Sequence, residues 1–173
     1  PALVVTHDRV EALALGDRLA GMGDGEIRQL GPVQQVFAAP ADAAVARVVG
    51  TENVVAVQVA ARRDGLVVVR AGGVELLAVD PGALGREAFA CIRAEEIVLE
   101  EAPGAPSSAR NLLPGVVAAR ADEGPLVRVT VDCGVRLVAL VTRPGAEALR
   151  LAPGRAVAAV VKAPAVRLVP RGA

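Results

Sequence analysis

Apolar and polar positions alternate in two distinct textures along the chain, and the change between them falls near residue 50. Leu3 to Thr6 is a short apolar, β-prone run, the pattern of a strand buried on both faces of a parallel sheet. Asp8 and Glu11 follow with the D-x-x-E spacing of a helix start, which predicts a helix running to about Ala14–Asp17. In "RLAGMGDGEIRQLG" two β-prone runs flank Asp24-Gly25, a pair suited to the positive φ angles of a tight hairpin. Pro32 stands at a first helical position before Val33–Ala38, and Pro40-Ala41-Asp42 opens a second short helix ending near Gly50. To this point the pattern is α/β.

From residue 51 short valine-rich segments punctuated by Gly, Pro and Asp predict an all-β region. That region repeats itself. "ENVVAVQVAARRDGLVVV" from Glu52 lies over "RNLLPGVVAARADEGPLVRV" from Arg110, with Asn53 on Asn111, Arg62 on Arg120 and Asp64 on Asp122. "GVELLAV" then lies over "GVRLVAL", and "GREAFACIRAEEIVL" over "GRAVAAVVKAPAVRL", which sets Arg93 opposite Lys162. The second copy is longer, and its stretch from Ala146 to Leu151 has room for one or two helical turns. Val127, Val129 and Val131 alternate with polar residues, the period of a half-buried strand. Between the copies "EEAPGAPSS" reads as a Pro-rich linker. The expected organisation is an α/β piece over 1–50 and two β units over 51–105 and 106–173. Units this small are near the lower size limit for independence, so two barrels packed together, or strands exchanged between them, are expected over two isolated beads.

Composition narrows the chemistry. Hydrophobic residues are 53% and charged residues 22%, enough apolar surface for a packed core and no signature of disorder. Basic and acidic residues balance at 19 each, so no net field gathers nucleic acid or an anionic membrane, and any anion site must be local. Phe37 and Phe89 are the only aromatics, too few for the stacking platforms of single-strand binders. Cys91 and Cys133 sit in valine-rich runs without a CxxC pair and read as buried free thiols, which agrees with a cytoplasmic setting. No run is long and apolar enough to span a bilayer, and "PALVVTHD" lacks the pattern of a signal peptide. The one histidine, His7, sits where the first apolar run ends, and ligands gather at the carboxyl ends of strands in parallel sheets.

The stretch from Val4 to Gly50, through "VTHD", "EALALGDR", "DGEIRQLGP" and the P-x-x-x-x-V-A-R-x-V-G ending, resembles the carboxyl end of the ATPase subunit of an ATP-binding-cassette importer. The resemblance implies that His7 is the switch histidine contacting the γ-phosphate of ATP, with Asp8 in the same loop. The family's G-x-x-x-x-G-K-[ST] phosphate loop and signature sequence are not in this chain. Positioning supplies nearly all of phosphoryl-transfer catalysis, so the chain as given is expected not to hydrolyse ATP; turnover above a His7→Ala control would show otherwise.

A second resemblance lies in "SSARNLLPGVV", residues 107–117, together with "VVKAPAV" from Val160. These are similar to the molybdate- and tungstate-binding TOBE/Mop module, an OB-like β-barrel. The implied fold class is mainly β, tandem OB-like barrels behind the α/β end of a nucleotide-binding domain. A tetrahedral dianion needs several converging donors and local positive charge, which Ser108, Arg110, Asn111 and Lys162 would provide. The resemblance implies that Ser108, Ala109, Arg110 and Lys162 help line the anion site, with Thr142 nearby. Ala163 and Pro164 stand where the family often has a hydroxyl residue, removing one donor and one backbone N–H. The alternative for Arg110 and Lys162 is a pair of solvated charges. Arg93 with Glu95 and Glu96 reads as a local ion pair.

The two resemblances together imply the carboxyl-terminal part of a molybdate or tungstate importer ATPase. It would be cytoplasmic and peripheral to the plasma membrane, a homodimer of ATPase subunits docked on a transmembrane permease, with a small oxyanion as regulatory ligand. Two other readings stay open: a stand-alone molybdate-storage protein, and the regulatory barrel of a sugar, sulfate or polyamine importer.

Overall fold

A computed structural model describes residues 2–101 and 108–171, so the Pro-rich linker reading falls mostly on residues outside the described ones. The amino-terminal piece begins with a correction. Leu3 to Thr6 is not a strand, and Leu3 is 93% exposed. A strand persists only when its backbone groups enter a ladder, and no described segment pairs with this one, so the expected parallel sheet is not formed here. The helix after it is present as α1, Arg9–Leu15. The Asp8 carboxylate accepts from the Val10 and Glu11 N–H groups, which holds its pKa below the usual carboxylate range. The Asp8 N–H itself donates to the Thr6 hydroxyl at 3.0 Å.

Strands β1, Arg18–Gly23, and β2, Glu26–Pro32, form the expected hairpin, with φ of 53° at Asp24 and 80° at Gly25. Helices α2, Val33–Ala38, and α3, Ala43–Val48, pack on it, the second capped by the Asp42 carboxylate accepting from the Val45 N–H. Val33, Val36, Phe37, Val45 and Val49 bury a small core there with Leu19 at its margin.

The first repeat supplies β3 (Asn53–Arg63), β4 (Leu66–Ala71), β5 (Val74–Val79), β6 (Glu87–Ile92), a 3-10 turn at Ala94–Glu96 and β7 (Val98–Glu100). The second supplies β8 (Asn111–Glu123), β9 (Leu126–Asp132), β10 (Arg136–Thr142), α4 (Arg143–Ala148), β11 (Ala156–Val161), a 3-10 turn at Ala163–Ala165 and β12 (Arg167–Pro170). The helical turn expected near Ala146 is therefore α4. Each repeat builds a five-stranded antiparallel sheet, and the last strand of each crosses to the other. The sheet orders are β12-β6-β3-β4-β5 and β10-β9-β8-β11-β7. Leu168 of β12 pairs with Ala90, and Leu99 of β7 pairs with Ala159. Each sheet curls until its edges meet, β12 with β5 and β10 with β7, giving two OB-like barrels with exchanged strands.

The repeat is also geometric. A bulge interrupts the ladder between Val59 and Ala61 and again between Val117 and Ala119, fifty-eight positions on in the alignment of Asn53 with Asn111, which bends both long strands at one barrel corner. Arg62 donates to the Leu84 carbonyl at 2.6 Å, and its counterpart Arg120 to the Leu151 carbonyl at 3.1 Å. One continuous core joins the barrels, with Val57, Leu76 and Ile92 from the first and Leu113, Val129, Leu137 and Leu151 from the second. Cys91 and Cys133 are free and buried, and burial raises both thiols, Cys91 to about 11, so neither is a reactive thiolate near neutral pH.

Candidate functional site

Two buried asparagines, each at the first position of a long strand, hold the barrels together and place the candidate site. Asn53 opens β3 and Asn111 opens β8; they are 3% and 2% exposed. A side-chain amide carries the same donor and acceptor as a peptide group, so it can substitute for a missing strand. The Asn111 amide donates to the Leu77 carbonyl at 2.9 Å and accepts from the Leu77 N–H at 2.6 Å. Asn53 does the same to Val138, at 2.9 and 2.6 Å. Leu77 and Val138 lie on β5 and β10, the edge strands of the opposite sheets. The two clamps are thus reciprocal, each repeat gripping the edge of the other.

Beyond each clamp the register sets two basic or acidic residues at one ladder end. Asn111 pairs with Val161 at the end of β8 and β11, so Arg110, just before it, and Lys162, just after, flank the last pair of that ladder. Asn53 pairs with Ile92 in the same way, so Glu52 and Arg93 flank that ladder's last pair, the Glu52 side chain turning to the Ala94 N–H and Arg93 to the Phe37 carbonyl. Ser108, Arg110 and Lys162 are exposed and Ala109 is half-buried. Neither Arg110 nor Lys162 forms an ion pair with a described residue, so two uncompensated cations share one strand end. The 3-10 turn after Lys162 packs against β5 and the one after Arg93 against β10.

The expected residues divide accordingly. Ser108, Ala109 and Arg110 lead into β8 and Lys162 follows β11, at the same end of that ladder. Asn111 sits at their base, and its amide is committed to Leu77. Thr142, at the far end of β10, uses its hydroxyl to cap α4 by accepting from the Gly145 N–H, and no described hydrogen bond or strand pairing ties it to Lys162. His7 is exposed, on a bend before α1, and lines a shallow cleft of about 380 Å³ with Arg9, Arg47, Thr51, Glu52 and Arg128. Sequence reasoning missed Asn53 and Glu52. The signal for both was the repeat alignment, in which Asn53 falls on Asn111 and Glu52 on Arg110.

The equivalent basic positions have different employment. Arg93 donates to the Phe37 carbonyl of α2 at 2.7 Å and lies 3.9 Å from Glu95, so it ties the amino-terminal piece to the first barrel. No helix among the described residues is long and apolar enough to cross a membrane, and no group of described side chains is suited to hold a metal ion.

Comparisons with known proteins bear on this arrangement. The TOBE domain family matches residues 107–168, the span that contains Arg110, Asn111 and Lys162. A molybdate/tungstate import ATP-binding protein of Pyrococcus abyssi is 34% identical over 171 residues, covering 96% of this chain and 46% of that protein. A molybdenum import ATP-binding protein of Thiobacillus denitrificans is 37% identical over 173 residues, covering 96% of this chain and 47% of its own length. The chain spans a little under half the length of these two relatives. Among solved structures, the cytoplasmic molybdate-binding protein ModG with molybdate bound superposes with a TM-score of 0.65 at 29% identity, over 70% of this chain and 97% of that one.

Proposed function

The chain belongs to the family of ABC importer ATP-binding subunits that carry TOBE barrels, as a counterpart of their carboxyl-terminal part, and on that premise we propose that it is a regulatory module binding a molybdate-type oxyanion. The observation that carries the reading is that Arg110 and Lys162, without a described ion pair, flank the last pair of the β8–β11 ladder at the Asn111 clamp, with Ser108 and Ala109 leading into it. Two cations without a described carboxylate partner supply the charge that a tetrahedral dianion needs, and the Ser108 hydroxyl and the Ala163 N–H supply neutral donors.

In the whole subunit the barrels would join two ATPase subunits on the cytoplasmic face of a membrane permease. Bound oxyanion acts on transport only through a difference in affinity between two states of that assembly. Arg93, reaching from the first barrel to the Phe37 carbonyl, and the packing of Ala43 and Ala46 of α3 against Cys91 and Val169 link barrel and ATPase piece, and along them such a difference would act. His7, exposed and making no described side-chain hydrogen bond or ion pair, keeps its imidazole available for the γ-phosphate of ATP once the phosphate loop is present. The transporter reading is favoured over a stand-alone storage protein because the likeness to import ATP-binding proteins extends over 96% of the chain, too much to be confined to the two barrels.

Calorimetric titration with molybdate, tungstate and sulfate tests the proposal. Molybdate and tungstate are expected to bind, and Lys162→Gln to weaken binding about tenfold to a hundredfold, the loss of one charge-assisted hydrogen bond. Absence of heat with every oxyanion would leave the barrels as scaffold alone.

A further inference from the structure

Positions 52 and 110 are structurally equivalent but opposite in charge. Each precedes its clamp asparagine, at the ladder end where the paired strand runs on into Arg93 in one repeat and Lys162 in the other. The Glu52 carboxylate, with its side chain only 20% exposed, accepts from the Ala94 N–H at 3.1 Å and stands 4.0 Å from the Arg128 guanidinium. At the other end no described group accepts from the N–H of Ala163, the counterpart of Ala94, and Arg110 and Lys162 have no described carboxylate beside them. Arg93 gives one guanidinium N–H to the Phe37 carbonyl, and Arg128 is shared with the Glu123 carboxylate at 2.6 Å.

A carboxylate presents two anionic oxygens to the same donors that a tetrahedral oxyanion would use, and two anions sharing those donors repel one another. We infer that Glu52 is a built-in occupant of the first repeat's copy of the anion site, so the chain takes up one external oxyanion, through its second repeat, and none through its first. The inference rests on the oxyanion reading of the second repeat given above. It makes the two barrels unequal: one anion position is permanently filled from within and serves as a joint, and the other is left to sense solute.

Stoichiometry of molybdate uptake by the chain is the test. The native chain is expected to bind one molybdate and Glu52→Ser two. Two molybdates on the native chain, or one on Glu52→Ser where the native chain also binds one, would overturn the inference and leave the oxyanion reading standing. No binding by the native chain with one molybdate on Glu52→Ser would overturn the reading of the second repeat and uphold Glu52 as occupant of the first. No binding by either would overturn both. Because Glu52→Ser also removes a backbone partner, exposed Arg110 offers a second arm that spares the fold. Arg110→Glu installs the carboxylate in the second repeat and is expected to bind molybdate at least tenfold more weakly than Arg110→Gln; equal affinities of these two variants would count against internal occupancy.

Discussion

Alanine at Asn53 or at Asn111 is expected to lower the unfolding free energy by about 2–4 kcal/mol, because each substitution strands one N–H and one C=O on an edge strand, at roughly 1–3 kcal/mol per buried group left unpaired. Asn111→Ala removes both partners of Leu77 at once, and Asn53→Ala both partners of Val138. Water does not replace them freely, since both amides are almost wholly enclosed. Asn→Asp at either site keeps the size and the acceptor but sets a carboxylate against a carbonyl oxygen, and is expected to be no better than alanine. Urea unfolding followed by circular dichroism reads the change. A loss within about 0.5 kcal/mol, the range of ordinary surface substitutions, would mean the clamps are incidental. The two clamps grip one interface from opposite sides, so the double variant is expected to depart from additivity.

The second large effect lies where the hairpin tips of the two barrels meet. Gly72, with φ of 54°, and Gly134, with φ of 91°, approach so closely that a Cβ on Gly72 would run into the Gly134 carbonyl. Gly73, beside it, has φ of 86° and open space where a Cβ would go. The pair is its own control. Gly73→Ala is expected to cost only the left-handed strain, about 1–2 kcal/mol. Gly72→Ala carries that strain and must also prise the tips apart, for a total of about 3–4 kcal/mol, or roughly 6–15 °C in Tm for a chain of this size. Equal melting temperatures for the two variants would show that the tips do not bear on one another.

Local chemistry made much of this fold readable in advance. The Asp24-Gly25 hairpin, the Asp8 and Asp42 caps and the alternating valines of β9 each follow from the conformational limits of a few neighbouring residues. The duplicated barrel was readable too, because both copies face the same steric demands: Arg62 and Arg120 reach matching carbonyls, and the bulge recurs at matching positions. What local pattern does not specify is the partner of a short strand. β7 and β12 have three and four residues, too few for a periodic signal, and their pairing with the other repeat's sheet is decided by packing between segments far apart in sequence. The run from Leu3 to Thr6 failed for the converse reason: its β-prone composition is real, but the ladder that would hold it is not among the described residues.

The site was legible in part. Arg110 and Lys162 are some fifty residues apart in sequence and brought to one ladder end only through the Asn111–Val161 register, which a motif can suggest but not measure. Asn111, read as an anion donor, turns out to serve the interface first, because an amide closed on both faces by a strand edge spends its acceptor and a donor there. The opposition of Glu52 to Arg110 was in plain view in the alignment, yet it acquires meaning only when the Ala94 N–H is found at the end of the carboxylate.

The exchange of β7 and β12 makes the duplication hard to undo. A backbone nick between residues 101 and 108 would release two pieces that each retain a strand belonging to the other's sheet, and they would stay mated without a covalent tie. Deleting one copy from the gene would therefore yield not a smaller finished barrel but an unsealed one, seeking a sister chain to close its open seam.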